Sequence, residues 1–146
     1  MPPTKARLTV TGATAIRPVT ITAVVDCPGI LAARSTHGNL YMYDTNKATG
    51  STGFGTEELR TPVKKGDQIL WNVHVLECET FVSIDGIEID EQICAPEKKV
   101  YPSTDISYWT ATVLKDMPEV VPYRIRFLLG TLTEPITTTS SSALVR

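Results

Sequence analysis

Alternation of apolar and polar residues is clearest over residues 64–75. A Lys-Lys-Gly-Asp turn leads into a stretch where Ile69, Trp71, Val73 and Val75 share one side. Gln68, Leu70, Asn72 and His74 take the other. A period of two with one apolar face predicts a half-buried β-strand, and Trp71 is large enough to anchor a core. Residues 7–15 and 18–25 read the same way. In the second, Val19, Ile21, Ala23 and Val25 face together with Thr20 and Thr22 opposite. Over 123–129, Tyr123, Ile125, Phe127 and Leu129 alternate with Arg124 and Arg126. Residues 106–114 combine Tyr, Trp, Thr and Val, which suit a pleated surface. Short strands are also predicted at 40–43, from 81 to 84, and at 132–136. The phase changes at Asp85-Gly86, which predicts a turn or bulge.

Between these runs the chain is turn-like. Asp26-Cys27-Pro28-Gly29 breaks the ladder, and residues 30–39 have room for a helical turn or a loop. Residues 44–58 are rich in Gly, Thr and Ser, with Phe54 set between Gly53 and Gly55. Residues 90–105 read as a second long connection. Long loops of this kind usually serve a function. The elements predict an all-β fold: a two-sheet, mostly antiparallel β-sandwich, jelly-roll or immunoglobulin-like, of seven or eight strands. Its single domain covers 1–136. Residues 137–146 read as a disordered Thr/Ser-rich tail, with Ala143 to Arg146 an addition to the domain.

Composition adds limits. With 146 residues the chain suits one domain. A formal net charge of -2 gives no general attraction to nucleic acid. No run approaches the roughly 18 apolar residues of a membrane helix, so no membrane insertion is expected. The N-terminus lacks a signal-peptide pattern, which predicts a cytoplasmic protein. Cys27, Cys78 and Cys94 are expected as free thiols rather than a disulfide framework.

Candidate chemistry is sparse. The Gly50–Gly55 run has no Lys-Ser/Thr in register for a phosphate loop. No elbow marks a serine nucleophile. His74 reads as a surface histidine, and hydrolysis by His74 with a carboxylate is the catalytic alternative. Asp85, Glu88, Asp90 and Glu91 lack calcium-loop spacing and read as a solvent face. No catalytic residue, metal site or cofactor is expected. Tyr41, Tyr43, Tyr101 and Tyr108 are available either to the core or as a glycan-stacking platform.

In order along the chain stand Asp26, the Leu40-Tyr41-Met42 strand, Gly66-Asp67 followed by Trp71, Tyr108-Trp109, and Tyr123 with Phe127. Over roughly residues 19 to 130 this arrangement resembles the AidA/PixA inclusion-body protein family of bacteria. The resemblance implies a small cytoplasmic β-sandwich that accumulates or self-assembles, with no established catalytic residues. The expectation is therefore a non-catalytic accessory protein, homodimeric or higher. It would bind or assemble through its loops and edges. A lectin-like module is the alternative, with a glycan ligand held by Tyr43, Asp44, Asn46 and Phe54.

Overall fold

A computed structural model describes residues 18–77 and 80–146. The strand expected at 7–15, and Cys78, lie outside the described residues. Within them the chain is all-β, with one short helix. Strands β1 (Val19–Val25), β2 (Leu40–Asp44), β4 (Gln68–Val75), β6 (Glu97–Val100) and β7 (Ser107–Thr112) form one sheet in the order β2-β1-β4-β7-β6. Strands β3 (Arg60–Pro62), β5 (Val82–Glu88), β8 (Val120–Leu129) and β10 (Ser142–Val145) form the second in the order β3-β10-β8-β5, and β9 (Ile136–Thr137) pairs with β8. Most pairings are antiparallel, but β1–β4 and β3–β10 are parallel, so each sheet is mixed. The described residues hold ten strands rather than seven or eight. The extra ones are short: β6 lies inside the connection read at 90–105, β3 just after the one read at 44–58, and β10 in the supposed tail.

The alternating faces fall as the pattern predicts. Val19, Ile21, Ala23 and Val25 are buried on β1, and Tyr123, Ile125, Phe127 and Leu129 on β8. On β4, Ile69 and Trp71 are fully buried, whereas Val73 and Val75 are only partly covered. Trp71 meets Tyr123 edge to face, with ring centroids 5.7 Å apart, so the two sheets share one core. Trp109 is half-buried, and its indole Nε1 donates to the Ile84 carbonyl at 3.1 Å. The β5–β8 register shifts between Ile84 and Gly86, which is the expected bulge.

One expectation shifts and one fails. The ladder breaks after Val25 as expected, but the short helix read at 30–39 starts earlier, as α1 (Cys27–Ala33), inside the turn itself. Asp26 caps it by accepting from the Gly29 N–H at 3.0 Å, and Pro28 sits in the first turn, where its missing N–H costs nothing. The tail is not disordered. Ser142–Val145 forms β10 between β3 and β8, with Ala143 and Leu144 buried. Only two apolar residues face inward there, too few to register against a Thr/Ser background.

Candidate functional site

The segment between β2 and β3 is a folded loop. The Asp44 carboxylate accepts from the Asn46 N–H at 2.9 Å, Ser51 Oγ at 2.7 Å and Thr61 Oγ1 at 2.6 Å. The Asn46 side chain donates to the Pro62 carbonyl. Thr52 and Arg60 exchange two backbone hydrogen bonds, and Gly55 N–H donates to the Met42 carbonyl at 2.8 Å. Gly53 has a φ of 79°, and a Cβ there would lie 2.4 Å from the Glu58 carbonyl, so only glycine fits this close return.

The four expected ligand residues all lie on or beside this loop but divide into two pairs, Tyr43 with Phe54 and Asp44 with Asn46. Tyr43 is 46% exposed, and its ring lies 6.2 Å from that of the half-buried Phe54. Lys47 Nζ sits 5.5 Å from the Phe54 centroid, within cation–π range. Phe54 thus packs on the core with one side and faces Lys47 and Tyr43 with the other. Asp44 and Asn46, by contrast, have their polar atoms engaged in holding the loop. A cavity of about 150 Å³ opens beside it, lined by His37, Tyr41, Thr56 and Glu58 among others.

Glu57 is the residue that the sequence gives no reason to single out. It is 3% exposed. Its Oε2 accepts from Thr36 Oγ1 at 2.5 Å and its Oε1 from the Ser140 N–H at 2.7 Å. Ser142 Oγ donates to its carbonyl at 2.6 Å. One buried carboxylate therefore joins the segment after α1, the β2–β3 loop and the C-terminal segment. In sequence it stands beside Glu58 as an ordinary polar pair.

The outer face of the first sheet carries the tyrosines. Thr22 pairs with Tyr43 on one side and Asn72 on the other, and Tyr108 pairs with Lys99. Continuing the β4–β7 register sets Tyr108 level with Asn72. Tyr41 lies one step along, across Val24 from His74. At strand spacings near 4.8 Å, Tyr43 and Tyr108 stand roughly 14 Å apart. Asn72 Oδ1 is buried on this face without a hydrogen-bond partner among the described residues.

His74 is exposed and borders a cavity of about 310 Å³ with Phe81, Ser83, Asp105, Ile106 and Ser107. No carboxylate among the described residues forms an ion pair with it. Asp85 and Glu88 instead approach Arg126 at 3.6 and 3.2 Å. No group of three or more His, Cys, Asp or Glu among the described residues is placed to hold a metal ion. Cys27 and Cys94 are buried thiols. Burial, then Glu77 and Asp26, pushes Cys27 up, and burial with Asp90 pushes Cys94 up to about 11. Both stay protonated and unreactive near neutrality. Among the described residues, no helix is long and apolar enough to cross a membrane.

The family described as a domain of unknown function (DUF8788) matches residues 17–134, and the chain belongs to it. Among solved structures, the chain is similar to the inclusion body protein PixA from Burkholderia cenocepacia J2315. The two are 14% identical with a TM-score of 0.62, over 90% of this chain and 94% of that one. At that identity the likeness is one of fold, and at that level the resemblance read from the residues holds. No curated protein matches the chain.

Proposed function

We propose that this DUF8788 chain is a non-catalytic bacterial accessory protein of the inclusion-body type, a cytoplasmic β-sandwich that works by self-association. The carrying observation is one end of the molecule, where Phe81, Val100, Tyr101 and Ile106 are 67%, 56%, 59% and 65% exposed. Phe81 and Ile106 line one cavity, and Tyr101 N–H bonds to the Ile106 carbonyl. Adjoining exposed apolar groups of this size favour a protein interface. The test is light scattering across a concentration series. A homodimer or larger species is expected, and a monomer at the highest soluble concentration refutes the reading.

A second reading, carbohydrate binding, is favoured by the line of Tyr43, Thr22, Asn72 and Tyr108 on the outer face, next to Phe54. Tyrosine faces stack on sugar rings while Thr and Asn supply hydrogen bonds. A glycan array, run with and without Ca²⁺ and with Phe54→Ala as control, tests it. Binding that survives Phe54→Ala unchanged moves the ligand away from the β2–β3 loop. Hydrolysis by His74 has a concave neighbourhood in its favour, with Asp105 on the same cavity, but among the described residues no carboxylate pairs with it as a general base would need.

A further inference from the structure

A β-sheet edge exposes unpaired N–H and C=O groups, and a folded chain normally covers them. At three of the four edges in the two sheet orders, another part of the described chain takes at least one outward backbone group. Gly55 N–H reaches the β2 carbonyl of Met42. Thr52 pairs with Arg60 on β3. On β5, Phe81 bonds toward β8, so Ile84 points outward by alternation, and its carbonyl is taken by the Trp109 indole beside the bulge. The fourth edge is β6. Tyr101 N–H bonds to Ile106, so by register Glu97 and Lys99 turn their backbone groups toward β7 and Lys98 and Val100 turn theirs outward. Among the described residues, no other segment reaches those outward groups. All four β6 residues are exposed.

We propose that β6 pairs antiparallel with β6 of a second copy about a two-fold axis at Lys98, joining the two first sheets into one. This rests on the self-association reading above and specifies its surface. The register follows from charge. Outward groups at Lys98 and Val100 allow two-fold registers centred on Lys98, Lys99 or Val100. Centring on Lys99 sets Lys99 against itself and Glu97 opposite Tyr101, and centring on Val100 sets Lys99 opposite Tyr101, so neither brings opposite charges across the axis. The Lys98 register does so, while also setting Lys98 against itself and Pro96 opposite Val100. Centring on Lys98 places Glu97 of each copy opposite Lys99 of the other, as non-hydrogen-bonded neighbours with close side chains. Glu97 and Lys99 already approach at 3.0 Å within one chain, so four charges of alternating sign meet on the outer face. Lysines on an edge ordinarily repel an added strand; here the alternating charge makes the edge selective for its own sequence.

A second fit comes from the same register. Tyr101 of one copy falls opposite Ala95 of the other. A shallow cavity of about 290 Å³ lies there, lined by Ala95, Glu97, Thr110, Thr112 and Leu114. By alternation Tyr101 is on the same outer face as Glu97, so each exposed tyrosine ring enters the other copy's cavity. Pro96 and Pro102 limit the ladder to a few residues. An interface this small makes a weak, concentration-dependent dimer.

The test is sedimentation equilibrium with amide hydrogen exchange on the full chain. Glu97→Lys should weaken the dimer about tenfold or more, and adding Lys99→Glu to it should restore wild-type affinity. Lys98→Gln should tighten it by removing the Lys98–Lys98 meeting at the axis. Tyr101→Ala should weaken it. The Lys98 and Val100 amides should gain protection as concentration rises. A wild-type chain that stays monomeric overturns both the self-association reading and this pairing. Self-association that ignores Glu97→Lys and leaves the Lys98 and Val100 amides unprotected overturns the pairing alone.

Discussion

Removing the Glu57 side chain should loosen the C-terminal strand before it loosens the rest of the fold. The carboxylate accepts two hydrogen bonds, from Thr36 Oγ1 and the Ser140 N–H, and is 3% exposed. Hydrogen bonds to a charged group contribute about 1.5–3 kcal/mol each, which sets an upper range near ~3–6 kcal/mol. Two offsets lower it. Thr36 Oγ1 keeps Thr139 as a neighbour at 3.1 Å, and the variant no longer buries a charge. The net expectation for Glu57→Ala is a loss of roughly 2–4 kcal/mol, against a total of about 5–15 kcal/mol for a typical domain. Glu57→Gln keeps one acceptor for Ser140 and should cost roughly 1–2 kcal/mol. Urea unfolding gives both numbers, and hydrogen exchange locates the effect. Residues 138–146 should lose protection in Glu57→Ala while β1 and β4 keep theirs. Unchanged stability within ~0.5 kcal/mol, or loss of protection spread evenly over both sheets, would refute the role assigned to Glu57.

Trp71→Ala should cost about 3–5 kcal/mol in urea unfolding, because the ring is fully buried against Tyr123. Gly53→Ala should cost about 1–3 kcal/mol, since the added Cβ meets the Glu58 carbonyl at a left-handed φ. A thiol reagent at pH 7 should label Cys94 only as fast as the protein unfolds; rapid native-state labelling would contradict its burial. Stability should also fall at alkaline pH. A folded-state pKa raised from 9.0 to about 11 at Cys94 favours the protonated thiol. Its contribution is therefore whole below pH 9 and is lost as pH rises toward 11. Burial raises Tyr123 as well, with Trp71 and Ser142 offsetting only part, so its contribution starts to fall above the ordinary tyrosine value near 10. Urea midpoints should decline above pH 9, and Cys94→Ala should flatten the first part of that decline.

How much was legible depended on what each residue was used for. Strands with one buried face declared themselves, because burial forces alternation: β1, β4 and β8 fall where Val19, Ile69 and Tyr123 begin their patterns. The bulge at Asp85-Gly86 was legible for the same reason, as a break in phase. Elements held by hydrogen bonds rather than apolar burial were not. The α1 start rests on one Asp26 side chain. The tail rests on Glu57, Thr36 and Ser142, all polar, so a Thr/Ser run that is firmly bonded looks like one that is free. In the loop site, sequence placed Tyr43, Asp44, Asn46 and Phe54 in one region, and the structure sets Tyr43 against Phe54 and Asp44 against the Asn46 N–H. It could not tell that Asp44 faces Ser51 and Thr61 instead of solvent.

The strand missed most completely, β6, shows the same rule from the other side. Glu97-Lys98-Lys99-Val100 has no alternation because neither of its faces is covered: the second sheet ends at β5, opposite β7, and leaves β6 overhanging. A strand at the rim has no core to pattern it. Its sequence is then free to answer to whatever lies beyond the edge, and charges become informative where apolar residues are not. At the other three edges the groups that bond the strand's backbone are neutral: a glycine amide, a threonine backbone and a tryptophan indole. Among the described residues β6 has no such group, and its own side chains are a glutamate, two lysines and a valine between prolines. Were the edge only protected from aggregation, lysines alone would serve, and Glu97 would weaken the repulsion. Glu97 two residues from Lys99 instead gives the edge a self-complementary order when read antiparallel. Converting Glu97 to lysine therefore separates the two roles: a merely protected edge would leave the chain's oligomeric state as it was, and a pairing edge would lose its partner.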